Sequence, residues 1–315
     1  MFHPSNATVI ARLVLAWLGE RTGAPVELLD GDAGVAVHGR LGAETVVLAV
    51  ESLSSAEQPA GWQAGLDRFG ARLDPRSEGA VILWLPAGAA PPAEEPAATV
   101  AVRAVQAAID AVPPGESRDA LLPIVLGLQK RDDNGAYVSA FGGLAPLWAQ
   151  FTDRVQGYYQ IDSTALHRLP EDEAEVRALI DRVITASAGM ALGEARMVDA
   201  DDRWRVQRLR DGSGCTVIAA PPGDETESGA PLRRRLRAVL RGTGERLADG
   251  RPALRVLALL GHYPTIEADQ AGPALRGQDP SLFAGLDLIV VVADGAVKPL
   301  LDVGRRLAAP GATAG

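Results

Sequence analysis

Val46 to Val50 reads Val-Val-Leu-Ala-Val, an unbroken apolar run with Glu44 before it and Glu51 after it. A strand that alternates apolar and polar residues can keep one face in water. A continuous β-branched run cannot, and reads as a strand buried on both faces. Such a strand needs a layer on each side, and helices are the usual cover. Ala80–Leu85, Leu254–Leu260 and Leu286–Val292 carry the same pattern. Four fully buried strands separated by amphipathic stretches set the fold class as α/β with a mixed sheet.

The residues around the first run can be read in order. Ser5 or Asn6 caps a helix whose face is Ile10, Leu13, Val14, Trp17 and Leu18, and Thr22-Gly23 stops it. Val26–Leu29 is a short strand closed by Asp30-Gly31-Asp32, where Gly accepts positive φ. Val35–His38 alternates with period two, and Gly39–Ala43 links it to the buried run. Ser54–Glu57 caps a second helix bearing Trp62, Leu66, Phe69 and Leu73, which Asp74-Pro75 ends. Ala80–Leu85 is the next strand, and the proline- and alanine-rich stretch to Pro96 closes the unit.

That order over residues 5–86 (helix, three strands, helix, strand) resembles the core of the restriction-endonuclease-like fold, the PD-(D/E)xK nuclease superfamily. The resemblance implies a site. In that superfamily an Asp and an acidic residue on adjacent core strands bind Mg²⁺, and a Lys two positions after the acid helps activate the water. Asp30 matches the Asp and Glu51 the acid, while Glu20 stands where some members place an extra acid. Mg²⁺ favours carboxylate oxygens and keeps several waters, one of which can attack phosphorus. The chain departs from the pattern at Leu53, which occupies the lysine position. Lys130 and Lys298 are its only lysines and both lie outside the unit. Arg68 or Arg72 could supply the charge from the following helix, but Arg stays protonated and activates water poorly.

Length and composition bound the remainder. At 315 residues the chain has room for two or three domains. The boundaries expected are a restriction-endonuclease-like unit over 1–90, a linker, helix and antiparallel β insertion over 91–170, and a second α/β unit over 171–315. A net charge of −9 argues against a surface devoted to nucleic acid and leaves room for a local basic patch. The single Cys215 cannot form an internal disulfide, which fits a reducing cytoplasm. Met1-Phe2-His3-Pro4 lacks the basic start of a signal peptide, and no apolar run reaches the ~20 residues of a membrane span.

Further along, Val100–Val112 reads as a helix. Asp132–Gly135 is a turn of the Asn-Gly type, which predicts a hairpin between Leu121–Lys130 and Ala136–Phe141, extended by Phe151–Ile161 into a meander. Asp162, Ser163 and His167 are the residue types of a hydrolase triad, but no nucleophile elbow surrounds Ser163. The simpler reading is a capped turn with a packed histidine. The four histidines, His3, His38, His167 and His262, show no zinc spacing.

From Glu171 the order is again helix (Val176, Leu179, Ile180, Val183, Ile184), strands near 195–198, 204–209 and 215–220, helix 231–247 and strand 254–260. This predicts a degenerate duplication of the first unit, inactive because Ala220-Pro221 stands where the first has Glu51. A short helix near 280–284 and the strand 286–292 extend it. The helix face carrying Arg233, Arg234, Arg237 and Arg241, with Arg235 and Arg246, is a candidate phosphate contact. Alternatively it is a solvated face balanced by Asp224, Glu225 and Glu227. Gly242-Thr243-Gly244 is no dinucleotide fingerprint, and there is no P-loop.

The expectation from these residues is a cytoplasmic nuclease-fold protein with its catalytic pattern incomplete. It would act as a scaffold or partner-binding subunit in a bacterial DNA-processing or defence system, with another protein as its partner and no membrane contact. The first alternative is an active Mg²⁺-dependent endonuclease using Asp30 and Glu51. The second is an unrelated soluble hydrolase.

Overall fold

The computed structural model describes residues 4–32, 36–53, 60–75, 78–220, 229–247, 254–261 and 271–302. The chain opens with α1 (Pro4–Thr22), then β1 (Val26–Asp32), β2 (Ala36–Leu41) and β3 (Glu44–Ser52). Next come α2 (Trp62–Gly70), β4 (Val81–Trp84), α3 (Ala97–Ala111), β5 (Ser117–Asp132) and β6 (Ala136–Gly142). A 3-10 turn at Ala145–Gln150 leads to β7 (Gly157–Ser163), α4 (Glu173–Ser187), β8 (Ala195–Arg208) and β9 (Cys215–Ile218). The chain closes with α5 (Gly229–Arg246), β10 (Leu254–Leu260), β11 (Leu288–Ala293) and β12 (Ala296–Asp302). The strands form two six-stranded mixed sheets, ordered β1-β2-β3-β10-β11-β12 and β6-β7-β5-β8-β4-β9.

β3, β10 and β11 are the buried centre of the first sheet, as their apolar runs require. Val46, Leu48, Val256, Ala258, Val290 and Val292 pack on one face with Ile10, Val14 and Leu18 of α1. Val47, Ala49, Leu257, Leu259, Ile289 and Val291 pack on the other with Leu232, Leu236 and Leu240 of α5. α1 lies so close to β2 that a Cβ added at Gly39 would sit 2.7 Å from Leu15 Cδ1. Only glycine admits that approach without repacking.

The second sheet is built on the long antiparallel pair of β5 and β8. α2 and α3 cover one end of a face, with Leu66, Phe69, Val105 and Ile109 against Val81, Leu83, Trp204 and Val206. α4 covers the other end, with Leu179, Ile180 and Val183 against Leu126, Leu128, Ile161 and Val198. The opposite side of β4 and β9, through Ile82, Trp84 and Ile218, joins the α1 core of the first sheet.

The structure changes several sequence expectations. β4 does not complete the N-terminal unit, because it pairs antiparallel with β8 and parallel with β9. β10 takes the place beside β3, parallel to it from Leu254↔Val46 to Leu260↔Ser52. The helix–strand pair α2–β4 therefore belongs to the second sheet and α5–β10 to the first. An apolar run says that a strand is buried but not beside which strand, and the two candidates carry the same pattern. This path also rules out a contiguous duplication over 171–293. Both sheets contain an antiparallel, antiparallel, parallel succession (β1-β2-β3-β10 and β5-β8-β4-β9), but the chain visits those positions in different orders.

The expected meander is also different. Gly135 adopts φ 89 and the Asn134 amide donates to Asp132, so the turn forms. Its two strands are nonetheless not neighbours. β7 lies between them, antiparallel to β5 and parallel to β6. Leu144, Phe151 and Val155 in the connection enter the α4 core, which carries the chain across the sheet before β7 returns. The runs 195–198 and 204–209 merge into the single strand β8, because the alternation continues through Asp199–Arg203. The helix near 280–284 is a 3-10 turn, Pro280–Leu282, capped by Asp279. β12, which contains Pro299, was not anticipated. The cap at Ser54–Glu57, the acids Asp224, Glu225 and Glu227, and His3 and His262 lie outside the described residues.

Candidate functional site

Glu51 stands at the C-terminal end of β3, opposite Leu259 of β10. α5 crosses this end of the sheet, and its last turn puts the Arg246 guanidinium on the Glu51 carboxylate. The same guanidinium group donates to Thr243 Oγ1 at 3.2 Å and to the Gly242 carbonyl at 3.1 Å. One strand residue further, Arg235 donates through Nε and Nη2 to the Ser52 carbonyl at 3.1 and 3.0 Å. Leu53, in the position the resemblance assigns to lysine, is buried in the α5 core, and its N–H bonds the Leu260 carbonyl at 2.9 Å. The strand end is thus closed by two arginines of α5 and an apolar plug.

Asp30 is placed elsewhere. Its backbone lies opposite His38, and His38 lies opposite Val47. Glu51 is four residues beyond Val47 on the same strand. At ~3.3 Å per residue and ~4.8 Å per strand spacing, the two backbone positions are about 16 Å apart. Carboxylates sharing a cation must converge to a few ångströms. Glu20 is at the exposed end of α1, 3.9 Å from Arg210. The three expected acids are therefore not gathered, and no group of three or more His, Cys, Asp or Glu among the described residues could hold a metal. A Mg²⁺ ion does not fit Glu51 as arranged, because its carboxylate is already committed to a cation.

Of the α5 arginines, Arg233, Arg234, Arg237 and Arg241 are exposed, on the side away from Leu232, Leu236 and Leu240. Arg237 donates to Gln278 at 3.2 Å. Arg235 and Arg246 turn inward to the β3 end, so the basic helix has two distinct sides.

The second polar centre was only half visible in the sequence. Asp202, inward-facing on β8 and 3% exposed, accepts from the backbone of His167 at 2.9 Å and of Arg168 at 3.0 Å. Its other oxygen lies 3.0 Å from His167 Nδ1 and accepts from Trp204 Nε1 at 3.2 Å. Burial pushes the Asp202 carboxyl up, but the His167 and Arg168 donors outweigh it and hold the group below the usual carboxylate range. Ser163 takes no part. Its buried hydroxyl bonds the Phe141 carbonyl and accepts from the Leu144 N–H at 3.0 Å, closing the turn after β6. Thr164 donates to Asp162 through N and Oγ1 at 3.1 and 2.7 Å. The capped turn forms, but His167 is exposed rather than packed, held to Asp202 through its backbone N–H and Nδ1. An acid at an inward position of an alternating strand was the signal that could have revealed Asp202.

Beside it, ion pairs fasten the two sheets together. Arg168 meets Asp294 of the β11–β12 turn, and Arg205 meets both Glu171 and Asp294, the latter at 3.6 Å. Gln207 receives Trp84 Nε1 at 3.1 Å and donates to the Gly295 carbonyl at 3.2 Å. Burial raises the Asp294 carboxyl despite Arg168 and Arg205. This cluster is a clamp of paired acids and bases between the two sheets, although the buried Arg168 Nη1 is left without a hydrogen-bond partner.

No helix among the described residues is long and apolar enough to cross a membrane. No protein-family model matches the chain, and no solved structure matches it. A partial similarity runs to the tRNA modification GTPase MnmE of Rhodospirillum rubrum, 31% identical over 140 residues. It covers 41% of this chain, which spans only 28% of that relative's length.

Proposed function

We propose that the chain is a non-catalytic protein on a restriction-endonuclease-like sheet, serving as a scaffold or partner-binding subunit in a bacterial DNA-processing or defence system. The observation that carries this reading is the Glu51–Arg246 pair, because it occupies the acid that the family resemblance assigns to the metal. The fold part of the reading draws support from the order β1-β2-β3-β10, with β10 parallel to β3 and helices on both faces. The residues from α2 to β9 then form an insertion between the third strand and its parallel neighbour. Leu53 in the core leaves no lysine to activate a water.

The partial relative's description as a GTPase does not redirect this reading. A P-loop places its Lys after Gly. Here Lys130 follows Gln129 and Lys298 follows Val297.

Plasmid cleavage in Mg²⁺ or Mn²⁺ tests the proposal, using wild type, Asp30→Ala and Glu51→Ala. The expected result is no cleavage above background. Cleavage by wild type that both variants lose would restore the endonuclease reading. The exposed α5 arginines supply a secondary surface for nucleic acid, read by fluorescence anisotropy against salt concentration. Binding there should be weak and should fall steeply with salt, as it rests on a few phosphate contacts.

A further inference from the structure

β5 and β8 pair over most of their length, and their residues alternate between two faces. Leu122, Leu126, Leu128, Val198, Ala200 and Trp204 turn toward the helices. An antiparallel sheet covered on one face normally meets water on the other through polar residues. This sheet does not. On its uncovered face Leu121 and Val125 of β5 are 47% and 48% exposed, and Met197 of β8 is 71% exposed. Tyr137 and Phe141 of β6 are 48% and 50% exposed.

The strand register puts these residues together. Met197 lies opposite Gly127, Gly127 opposite Asp162 of β7, and Asp162 opposite Phe141. Val125 is diagonal to Met197, and Tyr137 is opposite Tyr158. Trp148, from the 3-10 turn packed on β6, leans on Tyr137 at 6.2 Å between ring centroids and continues the apolar surface. None of these apolar side chains enters a buried core. Four strands at ~4.8 Å and about ten residues of β5 at ~3.3 Å give an outline of roughly 19 by 33 Å. A corrugated surface of that outline approaches about 800 Å², the share of one partner in a specific interface of standard size.

Carboxylates set the sign of its charge. Asp199 and Asp201 stand opposite Val125 and Pro123 on one side of β5, and Asp162 stands opposite Gly127 on the other. Asp162 accepts from Thr164, and no described lysine or arginine forms an ion pair with any of the three. Arg203 is committed to Asp119 and Glu175, and Arg131 donates to Gln160.

We propose that this face docks a cationic amphipathic helix of another protein. The helix lays its apolar stripe along Val125, Met197 and Phe141, with lysines or arginines on its flanks toward Asp162, Asp199 and Asp201. Helices are the usual cover of a sheet, and about 18 residues give the ~27 Å that the apolar strip spans. A second copy fits less well, because it would bring more carboxylates to the same face on chains of net charge −9. The proposal rests on the partner-binding part of the proposed function. Plasmid cleavage by wild type would refute that reading without altering a binding curve, so the two can fail separately.

The test uses a fluorescently labelled 18-residue helical peptide of leucine and lysine, with a leucine–glutamate analogue as control, titrated with the full chain and read by anisotropy. Wild type should bind the lysine peptide in the micromolar range, more weakly as salt rises, and should not bind the glutamate analogue. Met197→Lys and Asp199→Lys should each weaken binding tenfold or more with unchanged circular dichroism. Glu94→Lys makes the same charge change at an exposed position in the loop before α3 and should leave binding within twofold of wild type. No binding of the lysine peptide overturns the proposal. So does equal binding of the glutamate analogue, or an Asp199→Lys protein no weaker than Glu94→Lys. A wild type that sediments as a dimer, and that Met197→Lys makes monomeric, overturns it in favour of a second copy.

Discussion

Arg246 and Glu51, separated by 195 positions, meet at the end of β3, where the helix that closes the first sheet reaches back to the strand that founds it. Both side chains are about three-quarters buried, so the pair is less screened by solvent than a surface ion pair. A double-mutant cycle of Glu51→Ala and Arg246→Ala should therefore give a coupling energy of about 1–2 kcal/mol in urea unfolding. Additive single effects would mean that the two side chains do not share this contact in solution.

The exchange of helix–strand pairs between the sheets has a direct consequence for truncation. A fragment of residues 1–90 contains α1 to β4 but lacks α5 and β10. The α5-facing side of β3, Val47 and Ala49, would lie bare, and so would the edge that β10 occupies. The fragment should show no cooperative thermal transition by circular dichroism. A sharp transition would indicate that the first ninety residues close on themselves, with β4 beside β3.

Asp202 anchors the loop before α4 by accepting from two backbone amides and two side chains. Asp202→Ala leaves those donors without their acceptor and should cost about 3–5 kcal/mol in chemical denaturation. The pH dependence has a defined sign. The folded carboxyl lies below its unfolded value of ~3.9, so its contribution is complete above about pH 4 and is lost as pH falls through the lower folded value. Wild type should therefore lose more stability than Asp202→Asn in that acid window. Equal losses would mean that Asp202 gains nothing from its donors.

Burial was legible in the sequence to a greater extent than pairing. The unbroken runs at Val46–Val50 and Leu254–Leu260 predicted strands covered on both faces, and both are. Nothing in those runs distinguishes Ala80–Leu85 from Leu254–Leu260 as the neighbour of β3, because the choice depends on where two helices of similar amphipathic character settle. The Asn134-Gly135 turn was legible for the same local reason that it misled. A turn residue sets the bend, and the apolar Leu144 and Phe151 decide what enters between the strands. At the candidate site, Glu51 was visible as a charge ending a buried strand. Its partner was not, since Arg246 is one of six arginines on its helix, two of which, Arg235 and Arg246, turn inward, and only the fold shows which of them meets the carboxylate.

The central claim is that Glu51 is committed to Arg246 and does not share a cation with Asp30. Titration with Mn²⁺, followed by electron paramagnetic resonance of the free ion, tests it most directly. The account predicts no saturable one-to-one site in wild type and no difference on Asp30→Ala or Glu51→Ala. A stoichiometric site that disappears in both variants would contradict it.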